Sequence, residues 1–223
     1  MLHVITKIER PNKEILAQLE EIAPATAYEA QGKIGAMMSD IKPIYSGMKI
    51  CGPAITVQCH PGDNIMLHKA VAIAQPGDII VACVSYSEAG YWGEVLTVAA
   101  QVRGVGGLVM DGSVRDGLAI KKRGFSVFSR GLCMKGTAKE TVGFINYPLV
   151  CGNVLINPGD IVLGDDDGIV VIPREKAQET LKKSQDREKN EQIMMEKLTS
   201  RELTTLELLG LDKVLKAKGL QEE

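Results

Sequence analysis

The sequence predicts an α/β domain built on a mixed sheet, and two stretches carry that expectation. Between residues 79 and 123, β-rich and amphipathic segments alternate at short spacing, as βαβ units over a largely parallel sheet require: strand 79–85, helix 93–103, strand 107–110, helix 115–123. Residues 149–172 instead hold short β-rich runs separated by turn residues, which suits an antiparallel hairpin or meander.

Upstream, residues 11–23 place Ile15, Leu16, Leu19 and Ile22 on one helical face behind a Pro-Asn start. Residues 50–59 alternate Ile55 and Val57 against Thr56 and Gln58 and run into His60-Pro61-Gly62-Asp63, a strand leading to a turn. Pro-Gly-Asp recurs at 61–63, 76–78 and 158–160. The latter two open apolar runs and read as turns before strands; the first precedes Met66, Ala70 and Ile73 at helical spacing, so Asp63 or Asn64 is a natural cap. Residues 174–197 are helical but highly charged, with a thin stripe of Ala177 and Leu181, and promise little packing on their own domain. With the leucines at 203, 206, 208 and 209 they suit docking on a neighbouring subunit. The chain thus reads as a single domain over 1–223, with a charged helical extension from about residue 174.

Composition excludes several classes. A net charge of −2 from 26 basic and 28 acidic residues, with three Phe and one Trp, supplies neither the basic face nor the stacking rings that nucleic acid needs. No run of about 18 apolar residues exists, so no membrane span is expected. The five cysteines (51, 59, 83, 133, 151) form no C-x-x-C pair and mostly sit in apolar runs, as reduced core residues of a cytoplasmic protein do. Three histidines without H-x-x-H spacing argue against zinc, and His60 and His68 are assigned structural roles. Gly104-x-x-Gly107 precedes a strand and so fails as a dinucleotide fingerprint, and Asp165-Asp166-Asp167-Gly168 lacks the closing Glu of a calcium loop and reads as a hairpin turn.

Chemistry concentrates in residues 91–116. Gly93 lies at a loop end and Glu94 in a first turn, followed by Val95, Leu96, Ala99 and Ala100 at helical spacing, so the backbone N–H groups of 93–96 form an anion site at a helix start. The next strand delivers Asp111 to Asp116 at its C-terminal end, where α/β proteins place ligands. Asp116 is a hard oxygen ligand for Mg²⁺ or Mn²⁺, which keep several waters and need few protein carboxylates. Arg115 offers a planar fork for a carboxylate and positive charge beside a carbonyl, so metal and guanidinium together suit an enolate. Each residue also has a plainer reading: Arg-Asp at a helix start and Glu94 in a first turn are ordinary dipole partners, Asp111 suits an Asx turn, and Gly93 an unremarkable loop.

At these residues the chain resembles the 4-hydroxy-4-methyl-2-oxoglutarate / 4-carboxy-4-hydroxy-2-oxoadipate aldolase family, related to the regulator of ribonuclease E activity. The matching segments are HPGDN (60–64), WGEVL (92–96), GLVMDGSVRD (107–116), GFSVFSRG (124–131) and NPGDIVLGDDDGIVVIPRE (157–175), and Glu94 followed after twenty residues by Arg115-Asp116 meets the family's acidic-x20-Arg-Asp pattern. The resemblance implies an α-β-β-α sandwich with mixed sheets, like the swivelling phosphohistidine domain, assembled as homotrimers or homohexamers with sites between subunits. It implies that Gly93, Glu94, Val95 and Leu96 bind the pyruvyl carboxylate, that Arg115 binds substrate, that Asp116 holds Mg²⁺ or Mn²⁺, and that Arg115, Asp116 and Glu94 form the catalytic group. Ala119 departs from the pattern, standing where family aldolases often carry an acidic residue. The expected activity is retro-aldol release of pyruvate from a 4-hydroxy-2-oxo acid, with oxaloacetate decarboxylation by the same enolate chemistry. The alternative is a non-catalytic oligomer that regulates another protein. Methyltransfer is disfavoured, since no glycine-rich loop suits a nucleoside cofactor.

Overall fold

The computed structural model describes residues 2–85, 87–201 and 203–221. The chain starts with α1 (Lys13–Leu19), capped by Asn12, whose side chain accepts from the Glu14 N–H at 2.8 Å. The helix expected through residue 23 stops four residues earlier, and an unforeseen second helix, α2 (Pro24–Ala30), follows. Pro24 accounts for the break: it opens α2 at a first-turn position while holding Ala23 extended at φ −65, ψ 135.

The remaining elements are β1 (Lys42–Pro43), β2 (Ile50–Cys59), α3 (Ile65–Ile73), β3 (Ile79–Val84), α4 (Glu94–Val102), β4 (Gly107–Val114), α5 (Gly117–Arg123), β5 (Val127–Leu132), β6 (Phe144–Ile145), β7 (Leu149–Cys151), β8 (Val154–Ile156), β9 (Ile161–Asp165), β10 (Gly168–Ile172), α6 (Ala177–Thr199), α7 (Thr205–Leu209) and α8 (Leu211–Ala217). Among the described residues, eight strands form one mixed sheet in the order β1-β5-β4-β3-β2-β9-β10, with β6 on β2; β7 and β8 form a separate hairpin. Strands β2, β3, β4 and β5 run parallel, as the βαβ spacing predicts, and β9–β10 is an antiparallel hairpin on β2.

The long strand β2 joins the halves. Residues 54–59 pair with β3, whereas residues 50–53 pair with β9. The sheet then bends back until its far ends nearly meet, with the Lys42 ammonium donating to the Asp167 carbonyl at 2.6 Å and Gly47 N–H to Asp166 at 2.8 Å. Side-chain alternation separates the two sides of the hairpin: Val162, Ile169 and Val171 enter the central core, while Ile161, Leu163, Val170 and Ile172 face Leu19, Ile22, Ala27, Ala177 and Leu181 of the α1/α2/α6 layer. Helix α3 covers β2 on the other side and contacts α4, which contacts α5, giving the expected α-β-β-α layering.

The aspartates of the Pro-Gly-Asp turns are buried. Asp78 is fully buried and gripped at both oxygens by Arg10, each at 2.8 Å, and Asp160 accepts from the N–H groups of Asn157 and Arg174. The first half of α6 corrects the expectation of weak packing: Ala177, Thr180, Leu181 and Ser184 are buried against the domain, and only the later turns and α7–α8 carry exposed apolar residues such as Ile193, Met195 and Leu209. Among the described residues, no helix is long and apolar enough to cross a membrane.

Candidate active site

Two pieces of backbone are laid side by side to make the site. Strand β4 shifts register against β5 between Met110 and Ser113, and its end is paired with the loop 90–93: Tyr91 N–H donates to Ser113 O at 3.0 Å and Arg115 N–H to Trp92 O at 2.7 Å. Trp92 anchors that loop. It is fully buried, donates from Nε1 to Thr97 Oγ1 at 2.8 Å and stacks on Phe125 with ring centroids 6.0 Å apart.

Helix α4 therefore begins beside Arg115 and Asp116. Gly93 is extended (φ −149, ψ −166), so any residue could adopt its backbone; what excludes a side chain is space. A Cβ there would collide with Asp116 Oδ2 and lie 3.2 Å from Arg115 Cγ. Asp116 itself adopts the left-handed conformation, φ 58, ψ 31, which costs a non-glycine residue energy and is frequent at functional positions. It does not cap its own helix, which starts two residues after the expected Arg115. Its Oδ2 instead accepts from the Glu94 N–H of α4 at 3.0 Å, and Arg115 Nε lies 3.8 Å from the same oxygen. The side chains are half-exposed, 47% for Arg115 and 43% for Asp116.

Among the described residues, the Val95 and Leu96 N–H groups have no protein acceptor, as the anion-site reading requires. Gly93, Val95, Leu96, Arg115 and Asp116 all line one cavity of about 250 Å³. Glu94 is placed differently. Its carboxylate accepts from Arg123 Nε at 2.9 Å and Nη2 at 2.8 Å, and it borders an adjoining outer opening with Asp116 and Ala119.

Asp111 is also reassigned. In place of an Asx turn, β4 continues through it to Val114, and its carboxylate accepts from Gly152 N–H at 2.8 Å and from Arg130 Nε. Arg130 also pairs with Asp40. These contacts tie β4 to the β7–β8 hairpin and leave Asp111 out of the cavity.

Part of the cavity's lining was not read from the sequence. Asn64, His68, Thr137 and Lys139 line it, with Tyr91 and Gly136. His68, read as structural, borders the cavity; its pKa lies below the usual imidazole value through desolvation and the nearby Lys139 charge. Asp63 fixes this wall. Fully buried within the turn, it accepts from the N–H groups of Ile65 (2.8 Å), Glu140 (2.6 Å) and Thr141 (2.8 Å). Burial raises its pKa, but these three donors outweigh burial and hold it below the ordinary aspartate value. HPGDN was the available signal, whereas Thr137 and Lys139 lie in irregular backbone without periodicity.

A divalent cation fits the donor set in one way. Among the described residues, no three His, Cys, Asp or Glu groups converge, so a protein cage of the zinc type is absent. Asp116 alone, partly exposed on the cavity wall, matches Mg²⁺ or Mn²⁺, whose remaining positions go to water and substrate.

Known proteins resemble this chain over most of its length. Residues 22–171 match the RraA-like family model, described as Aldolase/RraA. A Halalkalibacterium halodurans protein named "Putative 4-hydroxy-4-methyl-2-oxoglutarate aldolase" is 33% identical over 180 residues, 80% of this chain and 86% of its own. The crystal structure of Streptomyces coelicolor RraAS2, titled an unusual member of the RNase ES inhibitor RraA family, superposes with TM-score 0.76 at 30% identity over 85% of this chain and 99% of that one. An uncharacterized Pseudomonas syringae protein reaches TM-score 0.82 at 26% identity, covering 95% and 100%. With its matching segment spanning both halves of the cavity and its mixed, nearly closed sheet, the chain belongs to the RraA-like, Aldolase/RraA family.

Proposed function

We propose that the protein is a divalent-metal-dependent aldolase that cleaves a 4-hydroxy-2-oxo acid, such as 4-carboxy-4-hydroxy-2-oxoadipate or 4-hydroxy-4-methyl-2-oxoglutarate, to pyruvate and a second oxo acid. The observation that carries this reading is the single cavity shared by Arg115, Asp116 and the acceptor-free amides of Val95 and Leu96. Mg²⁺ or Mn²⁺ at Asp116 would supply Lewis-acid polarisation of the 2-oxo group. The protein's own residues do the rest. The α4 amides hold the pyruvyl carboxylate, and Arg115 lends positive charge to the C2 oxygen as the C3–C4 bond breaks and its electron pair enters the enolate. The 4-hydroxyl proton leaves to a base, C4 becomes a carbonyl, and protonation at C3 yields pyruvate. Lys139 adds a second cation for a substrate bearing another carboxylate. Glu94, held by Arg123, shapes the charge at the outer opening.

Oxaloacetate, whose decarboxylation forms the same enolate, is the natural second substrate. We further place the protein in the cytoplasm, where its five free thiols stay reduced, as a homotrimer or homohexamer. Val95, Leu118 and Met134, exposed near the site, suit cover by a neighbouring subunit. Light scattering of the intact chain tests the assembly, and a monomer would refute it. The regulator alternative leaves the cavity without use. Pyruvate release from either named substrate, with Mg²⁺ present and after its removal by chelator, tests the enzyme; metal-independent inertness toward every 2-oxo acid would overturn it.

A further inference from the structure

His68 lines the same cavity of about 250 Å³ as Arg115, Asp116 and Lys139, a space that holds one small substrate. It lies one turn into α3, four residues after Asn64 and on the same face. Its neighbours Met66 and Leu67 are buried, whereas His68 is exposed. Desolvation and the Lys139 charge act on the ring, with no hydrogen bond to protein, and both hold its pKa below the usual imidazole value. Near pH 7 the ring is therefore mostly neutral, with a lone pair to offer. The segment that carries Lys139 is fixed beside it. Ala138 bridges to Asp63, donating to the Gly62 carbonyl at 2.8 Å and accepting from Asn64 N–H at 3.2 Å. A Cβ on Gly136 would stand 4.0 Å from Arg115 Nη1, so the segment runs from the guanidinium to the ammonium next to His68.

Among the described residues lining the cavity, few can accept a proton. Arg115 and Lys139 are cations without a lone pair, Asn64 is a carboxamide of very low basicity, and Thr137 is an alcohol no more basic than the substrate's own. The Tyr91 hydroxyl is buried and already accepts from Gly62 N–H at 2.6 Å. Asp116 is assigned to the cation. The elements packed on α3 bring no competitor: α4 carries Glu94, held by Arg123, β2 and β3 carry thiols kept protonated by burial, and β6 has no titratable group. Lys69 and Glu140 lie off the lining. Building on the aldolase reading, we propose that His68 is the general base of the cleavage. Its ring takes the 4-hydroxyl proton as the O–H electrons form the C4 carbonyl and the C3–C4 pair passes into the enolate. The imidazolium then returns the proton to C3, so the cycle needs no co-reactant and leaves no net proton. A substrate with its pyruvyl end at the α4 amides and Arg115 and a far carboxylate at Lys139 carries the 4-hydroxyl between them, beside the ammonium whose charge His68 senses.

The test uses the fact that oxaloacetate loses CO2 without first giving up a proton. In His68→Ala, kcat/KM for 4-carboxy-4-hydroxy-2-oxoadipate cleavage should fall at least about 100-fold, the size of a general base's contribution. Oxaloacetate decarboxylation should stay within about threefold of wild type, since its bond breaks with no base. His68 is exposed on its helix, so the variant should fold. Added imidazole should restore part of the cleavage in His68→Ala. In wild type, kcat/KM for cleavage should fall on acidification with a midpoint that matches the titration of the His68 ring followed by NMR, and His68→Ala should lose that limb. Both activities falling in parallel, cleavage unchanged in the variant, or an acid limb that survives the substitution would each overturn the proposal while leaving the aldolase reading intact. A wild type inert toward the hydroxylated compound would sink that reading and the proposal with it.

Discussion

Asp116 Oδ2 accepts the Glu94 N–H at 3.0 Å, so the carboxylate that ends the Arg-Asp motif also caps the N-terminus of α4. One side chain thereby sets the distance between the helix amides and Arg115. Gly93 is the spacer that permits it, since a Cβ there would strike Asp116 Oδ2. Gly93→Ala should therefore push the two walls apart. About a 1 Å displacement at a reacting centre costs on the order of 100-fold in rate, so kcat/KM for pyruvate release should fall by about that factor. The fold should survive, with urea titration giving a loss of about 1–3 kcal/mol.

Arg115→Lys should separate charge from geometry. The lysine keeps one positive charge but not the planar pair of donors, so kcat/KM should fall by at least about tenfold in steady-state assays while the melting temperature changes little, Arg115 being half-exposed.

Asp63 ties the turn at 61–64 to residues 140–141, beside the cavity wall that carries Thr137 and Lys139. Because its folded pKa is depressed, the stability it confers is present above the ordinary value of 3.8 and is lost as pH falls through the lower, folded-state value. Asp63→Ala removes the acceptor of three part-buried N–H donors and should cost about 1–3 kcal/mol near neutral pH in denaturant titrations. The deficit relative to wild type should shrink as pH falls below 3.8.

Thiol reactivity offers a check on burial. Cys51 and Cys59 are pushed up to about 12 and Cys83 to about 11, in each case mainly by burial, and Cys151 also lies well above the usual thiol range. All four should resist iodoacetamide at pH 8 in the native protein and react together on unfolding, as peptide mass spectrometry would record. Rapid native labelling of Cys59 or Cys151 would contradict this core.

The parts of this molecule legible in its sequence are those fixed by local pattern. Alternation placed β2, β-rich runs bounded by turn residues placed β3 and the β9–β10 hairpin, and the glycine and acidic residue before an apolar period placed α4. What escaped depends on distant partners. Pro24 ended α1 where amphipathicity alone continued it, and Asp111 took Gly152 and Arg130, residues far along the chain, in place of a local turn. The same holds within the site. Arg115 and Asp116 were visible because the motif is contiguous, but Asn64, His68 and Lys139 reach the cavity through the packing of α3 and the 136–141 segment, which no periodicity records.

The central claim is that Asp116 serves as the oxygen ligand through which a divalent cation acts on a 2-oxo acid. Asp116→Asn is the sharpest probe, because the amide keeps an oxygen for the Glu94 N–H and so preserves the α4 contact while removing the charge that holds a cation. Pyruvate release from 4-carboxy-4-hydroxy-2-oxoadipate should be Mg²⁺- or Mn²⁺-dependent in wild type and reduced at least about 100-fold in Asp116→Asn, with melting temperature retained. Turnover by Asp116→Asn at the wild-type rate, or wild-type turnover indifferent to the cation, would contradict the claim.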